Sequence, residues 1–517
     1  MFICINAGLL LGVEAVSVSI EVNIGPGARY YIVGLPDSAI KESFQRIEAA
    51  LRNNGLHMPR QKIVVNLAPA DVRKEGSSYD LSIACGILAA SRQMPAGRVS
   101  EYLIMGELSL DGSLRSIRGA LPLALQASKQ QLRGIILPAQ NAAEAEVVQG
   151  LQVIGLRNVA ELLEFFTSGY KHWRVKRQTP YPNPGPPEPF RLPENDFSTV
   201  KGQRSAKRAL ELAAAGGHNI LLIGSPGSGK TMLAQRMPGI LPPLDVDEAI
   251  QTTSIHSVAG LLAGCNLITQ VPFRAPHHTI TAIGMAGGGN LRPGEISLAH
   301  HGILFLDELP EFTRAALEVL RQPLEEGCIR ITRAKNTIQY PASFMLVAAM
   351  NPCACGNLGD LEKPCSCPAG SAERYTSRIS GPLLDRIDIQ MEVARLSYEE
   401  LSSEEPIESS HQIYLRVVNA REIQKQRFSG YRSGSLHSRT NAHMDQRQLK
   451  LFCKLDGQGS NALEKAVAYY GLSARGYHRI LKVARTIADM DSSDNISAAN
   501  ISEAISYRGV VRLAGIA

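Results

Sequence analysis

The chain reads as an α/β protein in three parts, and three observations carry that reading. Short apolar runs bounded by helix-like sequence recur at Ile63–Leu67, Leu103–Met105, Asn219–Ile223, Ile303–Leu306 and Phe344–Ala349. A glycine-rich loop immediately follows one of these runs, ahead of a helix-like stretch. A proline-dense tract separates the first two runs from the other three. Buried strands between helices are what a parallel sheet covered on both faces requires.

The 517 residues suit about three domains at roughly 150 residues each. Residues 1–170 are expected to form an N-terminal α/β domain. In it, Leu108-Ser109-Leu110 adds a strand, Asp111-Gly112 a hairpin turn, and Leu121 to Gln131 a helix. Residues 171–195 are an extended linker, because Pro180, Pro182, Pro184, Pro186, Pro187, Pro189 and Pro193 forbid a regular helix or central strand. Residues 196–394 form the parallel-sheet core. From about residue 395 strand signals vanish, so 395–517 is expected to be helical.

Composition excludes several classes. With 44% hydrophobic and 20% charged residues the chain is not an intrinsically disordered one. No apolar run reaches the roughly 18–20 residues of a membrane span. The start, Met1-Phe2-Ile3-Cys4, lacks a basic leader region, and Glu14 interrupts the apolar stretch behind it, so a cytoplasmic location is expected. Nine cysteines without an export signal argue against a disulfide framework. The net charge of +6 permits a polyanionic partner without requiring one.

Gly224-Ser225-Pro226-Gly227-Ser228-Gly229-Lys230-Thr231 has the pattern G-x-x-x-x-G-K-[ST], between a strand and a helix. Glycines let backbone N–H groups curl round phosphates, and the helix start adds a favourable dipole. Lys230 is expected to reach the β- and γ-phosphates, and the Thr231 hydroxyl to hold Mg²⁺. Downstream, Ile303-Leu304-Phe305-Leu306 places Asp307 and Glu308 at the carboxyl end of a buried strand, where open α/β sheets bind ligands. Asp307 would position the Mg²⁺ water shell and Glu308 would activate the attacking water. Together these predict a nucleotide hydrolase.

At this point the residues resemble a known superfamily. Asp196-Phe197-Ser198-Thr199-Val200-Lys201-Gly202-Gln203 is similar to the segment that precedes the P-loop in AAA+ ATPases. The resemblance implies that Asn351 is the sensor-1 polar residue. It implies that Arg386, in Leu383-Leu384-Asp385-Arg386-Ile387-Asp388, is a finger to a neighbouring subunit's ATP, and that Arg475 takes the sensor-2 place. Arginine there stabilises charge that builds on the transferring phosphoryl group.

Two further blocks resemble the YifB/ComM family, a magnesium-chelatase-like group. They are Val33-Gly34-Leu35-Pro36-Asp37-Ser38-Ala39-Ile40-Lys41-Glu42-Ser43 and Val64 to Asp71 with Lys74 to Leu81. The resemblance implies a Lon-protease-like N-terminal domain, an AAA+ core and a C-terminal helical lid. It also implies a hexameric ring motor on branched DNA, acting in recombination and natural transformation. The Lon likeness places Ser78 near that fold's nucleophile and Leu121 where its lysine belongs. A serine without a base is a poor nucleophile, so no peptidase centre is expected. A chelatase-type or protein-remodelling ATPase is the competing reading. The Lon-like domain and the cysteine cluster argue against a plain chelatase motor, whose likeness is expected to stop at the AAA+ part.

Cys353, Cys355, Cys365 and Cys367 form two C-x-C pairs that suit a structural Zn²⁺, or four free thiols. Ile329 to Tyr340 alternates apolar and polar residues about a basic turn, as a hairpin does. Arg333 and Lys335 at its tip suit DNA phosphates, or simply a solvated turn. A second loop, Arg274-Ala275-Pro276-His277-His278-Thr279 followed by Gly284 to Gly289, suits a DNA contact, and its His277 and His278 suit either a pair of metal ligands or, more often, polar loop packing. Neither loop has an aromatic platform, so any grip on DNA is electrostatic and weakens with salt.

Overall fold

The computed structural model describes residues 1–168, 195–262, 266–289, 292–333, 336–360, 363–402, 407–430, 440–470 and 472–508. The prolines of the expected linker lie outside these residues. The chain divides into two compact units: Met1–Pro184 with Val246–Thr269, and Gly185–Asp245 with Gln270–Ala517.

The first unit is built on a seven-stranded mixed sheet. Its strands are β1 (Phe2–Leu11), β2 (Glu14–Gly25), β3 (Tyr30–Val33), β4 (Lys62–Ala68), β5 (Tyr102–Ile104), β8 (Gly134–Pro138) and β9 (Gln152–Leu156), in the order β3-β4-β2-β1-β5-β8-β9. A separate small hairpin pairs β6 (Glu107–Leu108) with β7 (Leu114–Arg115), and Gly112 turns it at φ +86°. The long β1–β2 hairpin, with Phe2 opposite Asn23 and Leu11 opposite Glu14, was not anticipated. Its period-two signal is clear along β2, where Val18, Ile20, Val22 and Ile24 are buried in alternation. In β1 that signal is blurred by Leu9–Leu11. The helix Asp80–Ala90 is buried throughout and lies so close to β2 that a Cβ on Gly86 would stand 2.5 Å from Val22.

The helix Val246–Ala259, within the stretch expected to be sheet core, belongs to this first unit. It buries Ala249, Ile255 and Val258, and its Ser257 carbonyl accepts a bond of 3.2 Å from Gly119 N–H.

The second unit carries a five-stranded parallel sheet. Its members are β10 (Ile220–Ile223), β11 (Phe273–Arg274), β12 (Ile303–Leu306), β15 (Met345–Met350) and β16 (Ile389–Glu392), in the order β11-β12-β15-β10-β16. Every residue of β10, β12 and β15 is buried, which is why they read as continuous apolar runs. The helices Ser410–Ser429, Ala474–Met490 and Ala498–Ser506 share one hydrophobic core with the sheet. The strands β13 (Cys328–Arg333) and β14 (Asn336–Pro341) form the expected antiparallel hairpin. No described helix is long and apolar enough to cross a membrane.

A candidate nucleotide-binding site

Sheet order assembles the site. Because β12, β15 and β10 are neighbours and parallel, their carboxyl ends bring Asp307, Asn351 and the P-loop to one edge. The loop turns on Gly227 and Gly229 at φ +81° and +92°, then opens the helix Lys230–Arg236. Lys230 is nearly buried, and its Nζ donates to the carbonyls of Gly224 (2.7 Å) and Ser225 (2.9 Å) and to Asn351 Oδ1 (3.2 Å). Burial lowers its pKa, while Asp307 and Glu308 pull the other way. The ammonium thus has carboxylate company and a mouth of carbonyls, a strong recipient for phosphate oxygens.

Thr231 Oγ1 donates to Asp307 Oδ2 at 2.6 Å, and Asp307 Oδ1 accepts from Glu308 N–H at 2.9 Å. A hydroxyl and a carboxylate side by side are the hard oxygen donors that suit Mg²⁺. Glu308 sits at φ +53°, a left-handed conformation that costs a non-glycine residue about 1–2 kcal/mol. It turns the carboxylate toward His278, whose Nδ1 lies 3.4 Å from Glu308 Oε2. His278 in turn stacks against His277, ring centres 4.1 Å apart. The two histidines therefore pack as a polar loop contact beside the acidic pair. Arg274, from the same loop, is spent on Glu295 through two bonds of 2.7 and 2.8 Å.

A cavity of about 890 Å³ lies beside the loop, lined among others by Lys201, Gly202, Met391, Leu396 and Ile413. Gln203, held at φ +54°, links the two through its amide, which donates to Ser228 O (3.3 Å) and Ala394 O (2.6 Å). The cavity lining mixes apolar side chains with both cations and carboxylates, among them Arg204, Arg395, Glu392 and Glu399, and its size is that of a small-molecule site.

The cysteines converge. Their four sulfurs lie within 4.8 Å of one another, with Cys353–Cys355 at 3.4 Å, Cys355–Cys365 at 3.5 Å and Cys353–Cys365 at 3.7 Å. Tetrahedral Zn–S bonds of about 2.3 Å put sulfurs roughly 3.8 Å apart, so the donor set fits zinc. Backbone N–H groups, first that of Asn357, pull the Cys355 thiol down to about 5, while Cys365 is pushed up. The cluster also touches the nucleotide loop: a Cβ on Gly356 would stand 2.4 Å from Pro226 Cδ.

Arg386 and Arg475 are not at this edge. Asn219, which precedes β10, donates from Nδ2 to the Arg386 carbonyl at 3.0 Å, so Arg386 lies at the amino end of the strand whose carboxyl end carries the P-loop. Four strand residues at about 3.3 Å each separate the two ends. The Arg386 guanidinium is 6% exposed and forms an ion pair with Glu325. Arg475, 62% exposed, approaches the same Glu325 Oε1 at 3.4 Å. Among the described residues Arg386 Nε has no hydrogen-bond partner, an omission that costs about 1–3 kcal/mol. Arg333 ends β13 opposite Asn336, and Lys335 lies outside the described residues.

In the first unit, Leu121 is fully buried in the helix Ala120–Lys129. Lys74 is buried and donates its amine to the Pro69 carbonyl. Among the described residues no lysine amine is bonded to Ser78, whose carbonyl accepts from Gly106 N–H at 2.8 Å. Glu325 escaped the sequence reading, and His278 was singled out there without its place beside Glu308, since no local spacing ties either to its partners; the segment ending at Gln203 was flagged only by resemblance.

Comparison with known proteins sets this geometry in a family. Residues 196–401 match the family described as magnesium chelatase, subunit ChlI, and residues 407–508 its C-terminal family. Residues 20–141 match the family described as subunit ChlI of Mg-chelatase, which corrects the expectation that this likeness stops at the core. The YifB protein of Escherichia coli is 42% identical over 97% of this chain and 96% of its own. Competence protein ComM of Haemophilus influenzae is 41% identical over the same shares. Lon protease 2 of Bacillus subtilis is 26% identical over 31% of this chain and 30% of its own. With a P-loop parallel-sheet core, a Lon-like stretch and similarity from end to end, the chain belongs to the YifB/ComM family of magnesium-chelatase-like AAA+ proteins.

Proposed function

We propose that the protein is a cytoplasmic ATPase that assembles as a hexameric ring and drives branch migration on branched DNA during recombination and natural transformation. The observation that carries the ATPase is the convergence of Lys230, Thr231, Asp307, Glu308 and Asn351 at one sheet edge. Lys230 holds the β- and γ-phosphates, with Asn351 keeping its amine aimed into the loop. Thr231 and Asp307 hold Mg²⁺, which when bound neutralises phosphate charge. Glu308 orients the attacking water and takes its proton. Arg386, too far along β10 to serve its own loop, supports a site completed by a neighbouring subunit, and Arg475 accompanies it.

The DNA part rests on the competence protein among the relatives and on the β13–β14 hairpin, where β13 ends at Arg333 and Lys335 follows in the sequence. The Lon-like domain serves as a grip or brace without a peptidase centre, and the four cysteines hold a structural Zn²⁺. A chelatase-type or protein-remodelling motor is the second reading, favoured by three family matches bearing the chelatase description.

The test is ATP hydrolysis with and without forked or four-way DNA, following strand exchange in the same reaction. DNA-stimulated turnover coupled to strand exchange is expected. In Glu308→Gln turnover should fall by roughly 10²–10⁴ while ATP is still bound. Turnover indifferent to DNA, with no strand movement, would move the assignment to the second reading.

A further inference from the structure

The pairing of Arg386 and Arg475 on a single oxygen has a chemistry of its own. A lone arginine commonly meets a carboxylate with its two-pronged fork, one N–H to each oxygen. Here two guanidinium groups from distant parts of the chain share Glu325 Oε1, as they would share one oxygen of a phosphate. Glu325 stands on the short helix Pro323–Glu326, between Pro323 and a left-handed Gly327 at φ +64°, so its backbone is firmly set. Its side chain is 46% exposed and that of Arg475 62% exposed, so the pair opens to solvent, while the Arg386 guanidinium is 6% exposed with Nε unmatched. Arg386 Nη1 donates to the Pro382 carbonyl and Nη2 meets Glu325, so the arrangement holds both cations and leaves only Nε of the buried one unmatched.

We propose that Arg386 and Arg475 form a two-arginine anion site that Glu325 occupies as an internal competitor, until the terminal phosphate of a nucleotide on a second copy of the chain displaces it. This rests on the ring ATPase reading above. The more highly charged phosphate, with three acceptor oxygens, wins the exchange only once the neighbouring loop is loaded. Glu325 therefore couples finger release to nucleotide binding next door. Occupation by Glu325 reduces the fraction of subunits competent to receive a neighbour, which raises the ATP needed by that same factor.

The experiment uses the full-length chain carrying Glu308→Gln, which holds ATP, and follows ATP-dependent assembly by sedimentation velocity. Adding Glu325→Gln, which keeps the shape and removes the charge, should lower the ATP for half-maximal assembly roughly tenfold. Glu325→Ala should do the same. Both gains should vanish when Arg386→Ala and Arg475→Ala are also present. In the otherwise native enzyme, Glu325→Gln should lower the half-saturating ATP. An unchanged or raised ATP requirement, or a gain that survives removal of both arginines, overturns the proposal. Full turnover in Arg386→Ala alone would instead bring down the finger assignment itself, so the two failures are distinguishable.

Discussion

The serine region of the first unit and the P-loop of the second are both polar patches on α/β sheets, yet they spend their polar groups differently. Around Ser78, Asp80 receives Arg46 through bonds of 2.7 and 2.9 Å, and burial pushes its carboxyl up to about 6 against that pairing. Lys74 is turned to a backbone carbonyl, and Leu121 is fully buried. At the P-loop, Lys230 and Thr231 are instead aimed at a common edge beside an open cavity. Both lysines close on backbone carbonyls; what sets the P-loop apart is that its polar groups gather at a strand end with a cavity alongside.

That contrast can be broken most forcefully at Lys230. Lys230→Ala should reduce ATP turnover by roughly 10²–10³-fold in a steady-state assay with the fold intact by circular dichroism. Near-normal turnover would remove the P-loop from the mechanism. The second unit also has a spent network, and Asp388 sharpens the distinction. Burial works to raise its pKa, but Arg479 at 2.7 Å and His218 at 3.3 Å outweigh it and hold the carboxyl well below the usual range. Asp388→Asn should cost about 3–5 kcal/mol in denaturant unfolding at neutral pH. Since the folded pKa is depressed, that contribution is complete above about pH 4, the unfolded value, and disappears as pH falls toward the folded one. A gap between the two proteins that grew in acid would refute this assignment.

A smaller effect is expected in the cysteine loop. Wild-type protein should contain one Zn²⁺ per chain by elemental analysis, and Cys365→Ser should lose it with about 1–3 kcal/mol of stability. Zinc-free protein with unaltered melting in chelator would leave four free thiols. The smallest change belongs to Ser78→Ala, which should shift stability by less than about 0.5 kcal/mol and leave ATP turnover alone. If instead the native protein cleaved casein and this variant did not, the contrast between the two regions would collapse.

What could be read in the chain beforehand follows from how local each signal is. The P-loop, Asp307–Glu308 and the hairpin at 329–340 are encoded by adjacent residues, and strand ends suffice to place them. The convergence of Lys230 with Asn351 followed from resemblance to related folds rather than from spacing. His278 beside Glu308, and Glu325 beneath two arginines, depend on which loops meet after folding, and nothing in the nearby sequence marks them. The β1–β2 hairpin was hidden for another reason: an apolar cluster near its turn blurs the alternation. The helix Val246–Ala259 looked like any other in its neighbourhood, because its affiliation is decided by what covers its apolar face.

That last helix makes the two units spliced rather than strung together. The chain passes between them after Pro184, after Asp245 and after Thr269, giving three covalent crossings in place of one. A protease that nicks the proline stretch would leave the borrowed helix still joining the pieces. A truncated chain beginning at Asn195 would carry Ala249, Ile255 and Val258 stripped of their cover, an invitation to aggregate. Neither unit, as the chain is divided between them, can be removed by a single deletion.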